Sequence, residues 1–332
     1  MTTASLSAGR RRFPLRIPAK YAPILTTLAL LVSMFSIGAV RYPGFATGQV
    51  ILNVFIDNSF LLVVAIGMTF VILTGGIDLS VGSVVALSSL MSALLIKHGW
   101  PTLAAILAVL LIGSALGWAM GCVIHYFEIQ PFIVTLAGMF LARGLCYAIT
   151  VDAVSITKPG YVAIAEHSFG LPGGMYVTAG VLVALATAIV GIYVLHYTQL
   201  GRNVYAVGGN AQSALLMGLP VARTKIAVYT ISGFCSALGG VLLSFYMLSG
   251  SGSLGIGMEL DAIAAVVIGG TLLTGGTGYL AGSVLGVLVL GLIQTLINFQ
   301  GTLSSWWTRI VIGLLLFVFI LLQRLVFLRR KT

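Results

Sequence analysis

The sequence predicts an all-α membrane protein: a polytopic bundle of about ten transmembrane helices with both termini in the cytoplasm. Three observations carry that class. First, 59% of the 332 residues are hydrophobic and only 7% are charged, with a mean hydropathy of +1.12. A water-soluble domain carries roughly 25% charged residues, so a soluble enzyme is excluded. Second, residues 58–77, 98–127, 167–201, 226–258 and 262–308 contain no Asp, Glu, Lys or Arg. A crossing helix needs about 20 mostly apolar residues, so the longest of these stretches hold more than one span. Third, the basic side chains are sorted along the chain. With the N-terminus inside and alternate crossings, 12 of the 17 fall on the cytoplasmic side, in Arg10–Lys20, Arg202, Arg223–Lys225 and Arg324–Lys331. The reverse orientation inverts that bias, against the positive-inside rule. The net charge of +10 is therefore a topology signal. No basic face interleaved with aromatics suggests nucleic acid.

Glycine, proline and polar breakers divide the apolar stretches into helices near 22–40, 50–73, 80–96, 101–124, 131–150, 176–196, 225–248, 259–273, 279–298 and 307–327. The first follows a basic cytoplasmic tail, residues 1–20, without an A-x-A-like cleavage site after it, so it reads as a retained anchor. The eighth is short and glycine-flanked, a candidate re-entrant segment. Residues 21–328 then form one transmembrane domain, and 329–332 a second cytoplasmic tail.

Two connections exceed a turn. Val151–Gly174 lies outside, punctuated by Pro159, Gly160, Pro172 and Gly173. Tyr197–Thr224 lies inside as a loop of polar and glycine residues. Within it Asn210 is an N-cap, Ala211–Met217 a short helix, and Gly218 its stop, with Pro220 following. This is either an ordinary capped loop helix or a docking element for a cytoplasmic partner, since a rigid helix transmits a push.

Polar residues in the spans carry the remaining information. Asp78 lies in Leu73-Thr74-Gly75-Gly76-Ile77-Asp78-Leu79-Ser80-Val81-Gly82-Ser83, between two apolar spans. Gly75, Gly76 and Gly82 permit a helix break or close contact. Asp78 reads as a cap on the next helix rather than a substrate or proton site. Glu259 and Asp261 open the eighth segment, where acids complement the helix dipole, and Gly269 and Gly270 close it. Residues 73–84 and 273–284 agree at seven of twelve positions at an offset of 200. That is either a parallel repeat with a pathway between its halves or a coincidence of glycines. Asn53, Phe55, Asn58, Thr74, Gln294 and Asn298 are candidates for a hydrophilic route, with Asp57, Phe60, Thr295, Phe245 and Tyr246 as further polar or aromatic candidates. Amides, hydroxyls and stackable rings suit a neutral, hydroxyl-rich solute such as a sugar. The alternative is that such polar groups only tie neighbouring helices together.

No GxxxxGK[ST], HExxH or GxSxG motif occurs. Cys122, Cys146 and Cys235 are far apart without a CxxC, and His98, His125, His167 and His196 sit at expected span ends. Neither a metal site, a catalytic cluster nor a resident cofactor is expected.

At these motifs the sequence resembles the permease subunits of bacterial ABC importers for simple sugars, the ribose-type family, over about 22–328. The family pattern GGIDLSVGS stands at Gly75–Ser83, ELDAIAAVVIGGT at Glu259–Thr271, and the coupling-helix pattern at Gly201–Gly218. Phe299–Thr308, Gly291–Thr295, Tyr42–Ala46 and Pro172–Gly174 resemble the permeases of galactofuranose importers more closely. Gly208-Gly209-Asn210 and Leu219-Pro220 depart from the common pattern. The resemblance implies a multi-pass inner-membrane subunit forming a monosaccharide path, galactofuranose or a similar sugar. Its partners would be a second permease of a different chain, a periplasmic sugar-binding protein and a cytoplasmic ABC ATPase. That ATPase would use the ATP and engage Arg202, Asn210, Ala211, Ser213, Leu216 and Gly218. An ion-coupled secondary transporter, or an ABC permease for another solute such as a nucleoside or branched-chain amino acid, is the alternative.

Overall fold

The computed structural model describes residues 22–302, 304 and 306–329. The basic tail of residues 1–20, and Arg330 and Lys331, lie outside the described residues. The chain is a predominantly helical, multi-pass membrane protein. Fourteen helices are described, α1 (Ala22–Arg41), α2 (Gly48–Asp57), α3 (Ser59–Leu73), α4 (Val81–Lys97), α5 (Thr102–Tyr126), α6 (Pro131–Ile149), α7 (Pro159–Glu166), α8 (Ala179–Tyr197), α9 (Gln199–Gly209), α10 (Ala211–Leu216), α11 (Val221–Met247), α12 (Met258–Ile268), α13 (Leu280–Gln300) and α14 (Trp306–Arg329). Six of them are long and apolar enough to cross a membrane, and α2 with α3 make a seventh if they count as one bent span.

Burial follows what each helix touches. Fourteen of the fifteen residues of α3 are buried, so this apolar segment is a core helix with no lipid face. It packs beside α11, which also contacts α4 and α5, while α12 packs on α13 and α3. By contrast α5 and α8 each bury one stripe and expose large apolar side chains such as Leu103, Leu111, Ile189 and Val190. Exposed leucines and valines on a spanning helix face hydrocarbon. The α5–α11 contact depends on small residues. A Cβ on Gly117 would overlap the carbonyl of Tyr229, and one on Gly233 the carbonyl of Gly113. Backbones this close need small residues on both helices.

Several elements differ from the sequence reading, each for a local reason. The helix expected over 50–73 is two helices, bent by 59° at Asn58. The Asn58 Nδ2 donates to the Val54 carbonyl (2.9 Å) and the Ser59 Oγ to the Ile56 carbonyl (3.1 Å), so side chains satisfy groups that the break frees. The 197–224 connection is mostly helix, α9 and α10, rather than loop, and α11 begins at Val221 instead of 225. Thr198 caps α9, accepting from the Gly201 N–H at 3.4 Å, and the glycines that suggested a loop sit where α9 touches other backbone. The eighth segment stops at Ile268, not 273, because Gly269 and Gly270 (φ +92°) end α12.

The bundle is not purely helical. The 151–178 connection contains α7 and three short strands, β1 (Val154–Ser155), β2 (Ser168–Leu171) and β3 (Met175–Thr178). A fourth, β4 (Ser249–Gly250), pairs antiparallel with β1, and β2 with β3 in a hairpin around Pro172-Gly173-Gly174. These strands, the C-terminal end of α11 and the N-terminal ends of α2 and α8 mark one end of the bundle, the hairpin end. The opposite end carries α9, α10 and the start of α11.

Candidate functional site

The break between α2 and α3 opens a cavity of about 260 Å³ at the hairpin end. Asp57, Asn58, Phe60 and Leu61 line it from the break, Tyr246 from the end of α11, Met258 and Asp261 from the start of α12, and Gly291, Gln294, Thr295 and Asn298 from α13. A second cavity of about 230 Å³ shares Asn58, Leu61, Asp261, Gln294 and Asn298 and extends to Thr308, Arg309 and Ile312 of α14. Tyr246 donates its hydroxyl to the Asp57 Oδ1 at 3.1 Å and packs against Phe60, their ring centroids 5.9 Å apart. The Arg309 guanidinium acts electrostatically on Asp261. The wall therefore offers carboxylates, amides and hydroxyls facing an aromatic pair. Carboxylate and amide oxygens accept from sugar-type hydroxyls, amide N–H groups donate to them, and rings cover an apolar sugar face.

Of the residues singled out from sequence, Asn58, Gln294 and Asn298 line this cavity, with Asp57, Phe60, Thr295 and Tyr246 beside them. Asn53 is elsewhere: its Oδ1 accepts from the Gln49 Nε2 (2.8 Å), and Gln49 in turn bonds the Tyr176 backbone of the hairpin. Phe55 does not line either cavity. Thr74 caps the far end of α3, donating to the Val71 carbonyl at 2.8 Å. Asp261 and Arg309 were not singled out for the route. Asp261 reads from sequence as a dipole acid in the first turn of α12, which it also is; Arg309 carries no reading from sequence. Pocket membership depends on which helices adjoin, and helix spacing alone does not reveal that.

The glycine motif lies at the opposite end of the same helices. Asp78 is 1% exposed. Its Oδ1 accepts from the Ser80 N–H (2.9 Å) and Oγ (2.6 Å), and its Oδ2 from the Ser232 Oγ (2.6 Å). The carboxylate thus orders the approach to α4 and ties it to α11. Gly82 lies within α4 rather than at a break. There it gives room to the Gly255 carbonyl and the Glu259 side chain. Gly75 (φ +78°) and Gly275 (φ +82°) turn the chain in the same left-handed way at the offset of 200, and the Gly276 N–H donates to the Leu73 carbonyl at 2.9 Å. The two turns therefore meet. The helices that follow them, α4 from 81 and α13 from 280, start in step with the offset, whereas α3 runs to 73 and α12 only to 268.

The α9–α10 unit closes over those turns. The Gly208 Cα faces the Leu73 carbonyl and the Gly276 nitrogen so closely that a Cβ would overlap both. The Tyr205 hydroxyl donates to the Gly278 carbonyl at 2.8 Å. Burial and neighbouring Tyr279 push that phenol up to about 12, so it remains a donor at neutral pH. After α9, the Asn210 Oδ1 accepts from the Ser213 N–H at 2.8 Å and caps α10. At its other end the Leu219 N–H bonds the Ala214 carbonyl (3.0 Å) and the Gly218 N–H the Leu215 carbonyl (2.9 Å), with Gly218 at φ +76°. This is a Schellman stop. Ala214 is buried against Val207 and Val221, while Arg202, Ser213, Leu215, Leu216 and Met217 are exposed and Ala211 half-buried. An apolar, doubly capped helix thus protrudes from the bundle.

Residues 50–320 match the family described as "Branched-chain amino acid transport system / permease component". The chain is 47% identical over 303 residues to the inner membrane ABC transporter permease protein YjfF of Escherichia coli (strain K12), covering 91% of this chain and 92% of that one. It is 38% identical to the fructose import permease protein FruG of Bifidobacterium longum (strain NCC 2705), covering 98% of each. To the ribose import permease protein RbsC of Escherichia coli (strain K12) it is 36% identical, covering 97% of this chain and 99% of that one. No solved structure matches. With a polar cavity at one end of an apolar bundle and a capped helix at the other, the chain belongs to this family of transport-system permease components.

Proposed function

We propose that the chain is the transmembrane permease subunit of an ABC importer in a bacterial inner membrane, and that it carries a neutral monosaccharide, galactofuranose or a similar sugar. The cavity at the α2–α3 break carries this reading. It lies at the end that the positive-inside rule assigns to the outside, and its amides, hydroxyls, carboxylates and aromatic pair suit a polyhydroxylated ring. The names of the relatives, which refer to fructose and ribose import, support a sugar over the amino acid of the family description. In this topology the ten helical passes are α1, α2–α3, α4, α5, α6, α8, α11, the short α12, α13 and α14, and both termini are cytoplasmic.

The partners follow from the two ends. A binding protein delivers the sugar at the hairpin end. A second permease, a different chain, completes the path. A cytoplasmic ATPase binds ATP and pushes on α10 through Asn210–Gly218, so the permease itself needs no cofactor. The test is uptake into proteoliposomes containing the chain, its neighbouring-gene permease and ATPase, and the binding protein. Labelled sugar should accumulate only with ATP on the ATPase side. One observation favours a second reading: Asp57 and Asp261 share the cavity, and intramembrane carboxylates also serve ion-coupled transporters. Gradient-driven uptake by this chain alone, without ATP, would establish that reading instead.

A further inference from the structure

We infer that Asp57 is the specificity-determining residue of the cavity at the α2–α3 break, and that through it the permease itself admits neutral monosaccharides and turns away anionic ones such as uronates. This rests on the sugar-permease reading above. It adds a charge filter within the membrane subunit, apart from any selection by a binding protein.

The charges around the cavity do not balance. The cavity that holds Asp57 is lined by two carboxylates, Asp57 and Asp261, and by no basic residue among those described. Arg309 lines only the adjoining cavity, on the Asp261 side. There its guanidinium acts on Asp261 and lies 5.9 Å from the centroid of the Trp306 ring. Glu259 adds another acid to the same first turn of α12. Helix N-termini ordinarily attract anions, and those of α3 and α12 both open on this cavity. Each already has a carboxylate at its start, Asp57 just before α3 and Asp261 in the first turn of α12. An incoming anion therefore meets two negative groups and no positive end without its own carboxylate.

Asp57 is exposed and yet held in place. The Tyr246 hydroxyl donates to its Oδ1 at 3.1 Å, and the Tyr246 ring packs against Phe60. Its Oδ2 has no hydrogen-bond partner among the described residues, so one oxygen fixes the carboxylate and the other is left for a ligand. A carboxylate accepts from sugar hydroxyls and repels a second carboxylate. The other polar groups do not discriminate in this way. Gln294 and Asn298 stand one turn apart on α13, and both are exposed. Carboxamides both donate and accept, so they bind a neutral or an anionic sugar alike. Asp261 is offset by Arg309, and the selection by charge falls to Asp57.

The experiment uses the full chain with its partner permease and ATPase in proteoliposomes. Cys122, Cys146 and Cys235 are replaced by Ser, and Thr295→Cys places a reporter on the cavity wall. Labelling by N-ethylmaleimide is timed without nucleotide while D-galactose or D-galacturonate is titrated in at constant ionic strength. The two probes share a ring and differ in a hydroxymethyl group against a carboxylate. In the parent, galactose should slow labelling at a concentration about ten-fold below that needed of galacturonate. Asp57→Asn keeps an acceptor for Tyr246 and removes the charge; the two sugars should then protect within about two-fold of each other, because galacturonate gains. Tyr246→Phe keeps the charge and releases the carboxylate, so it should weaken protection by galactose and preserve the preference. Equal protection by the two sugars in the parent, protection by neither, or a preference that survives Asp57→Asn would overturn the filter. Labelling of Asp57→Asn at the parent's rate without sugar checks that it is folded. If it is not, the parent decides: a preference made by an exposed charge shrinks as salt is raised, and one indifferent to salt would overturn the filter. ATP-driven uptake of D-galactose by the unsubstituted chain with its partners is read separately. Its absence would count against the permease reading, not against the filter.

Discussion

Asp78 shows how one side chain organises an expensive position. A buried carboxylate needs partners for its lone pairs, and here two serine hydroxyls and one backbone N–H supply them. Replacing it with Asn puts an NH2 group where an acceptor stood. Asp78→Asn should lower stability by about 2 kcal/mol, the cost of leaving buried hydrogen-bonding groups unsatisfied, seen as a lower unfolding midpoint in detergent. Ser232→Ala, which removes one donor and leaves two, should cost less. At the opposite surface, Asn210→Ala removes the cap of α10 and should cost that helix about 1 kcal/mol. Since α10 packs only through Ala214 and its neighbours, the loss should appear as weaker ATPase binding in co-purification from membranes, with the chain still folded.

At the scale of elements, close helix contact decides the bundle. Gly113, Gly117 and Gly233 bring α5 and α11 together with no room for a side chain. Gly233→Val should therefore cost several kcal/mol, as overpacking at backbone contact does, and reduce recovery of folded protein from membranes. Elements defined by composition were legible in the sequence. Helices α1, α4, α5, α6 and α13 lie within about two residues of their expected bounds, because apolar length and Gly or Pro breakers fix them. Elements defined by contact were not. The α2–α3 break depends on Asn58 turning back onto the Val54 carbonyl, and an isolated Asn does not announce that. Helix α9 looked like loop because Gly208 and Gly209 are poor helix formers; its reason for existing, the fit against Leu73 and Gly276, lies far away in sequence. The cavity was half legible for the same reason. Asn58, Gln294 and Asn298 stand out as polar groups in apolar surroundings, whereas Asp261 has an adequate explanation at a helix end, and it and Arg309 join the wall only when α12 and α14 adjoin α13.

On the scale of the whole molecule, the polar features divide between two ends of one set of helices. The hairpin end holds the polar cavity, and the α9–α10 end holds the turns and the protruding capped helix. The proposed topology assigns these ends to opposite sides of the membrane. A cysteine replacing Arg202 should react with an impermeant reagent only from the cytoplasm, and one replacing Phe169 on the hairpin only from outside; the reverse pattern would invert the orientation. ATP-dependent uptake, in proteoliposomes holding the permease pair, ATPase and binding protein, decides whether this chain provides a sugar path whose energy comes from another subunit. A labelled neutral monosaccharide should accumulate with ATP present, and uptake should fall to background when ATP or the binding protein is omitted. Sugar uptake driven by an ion gradient through this chain alone, unchanged by ATP, would contradict it.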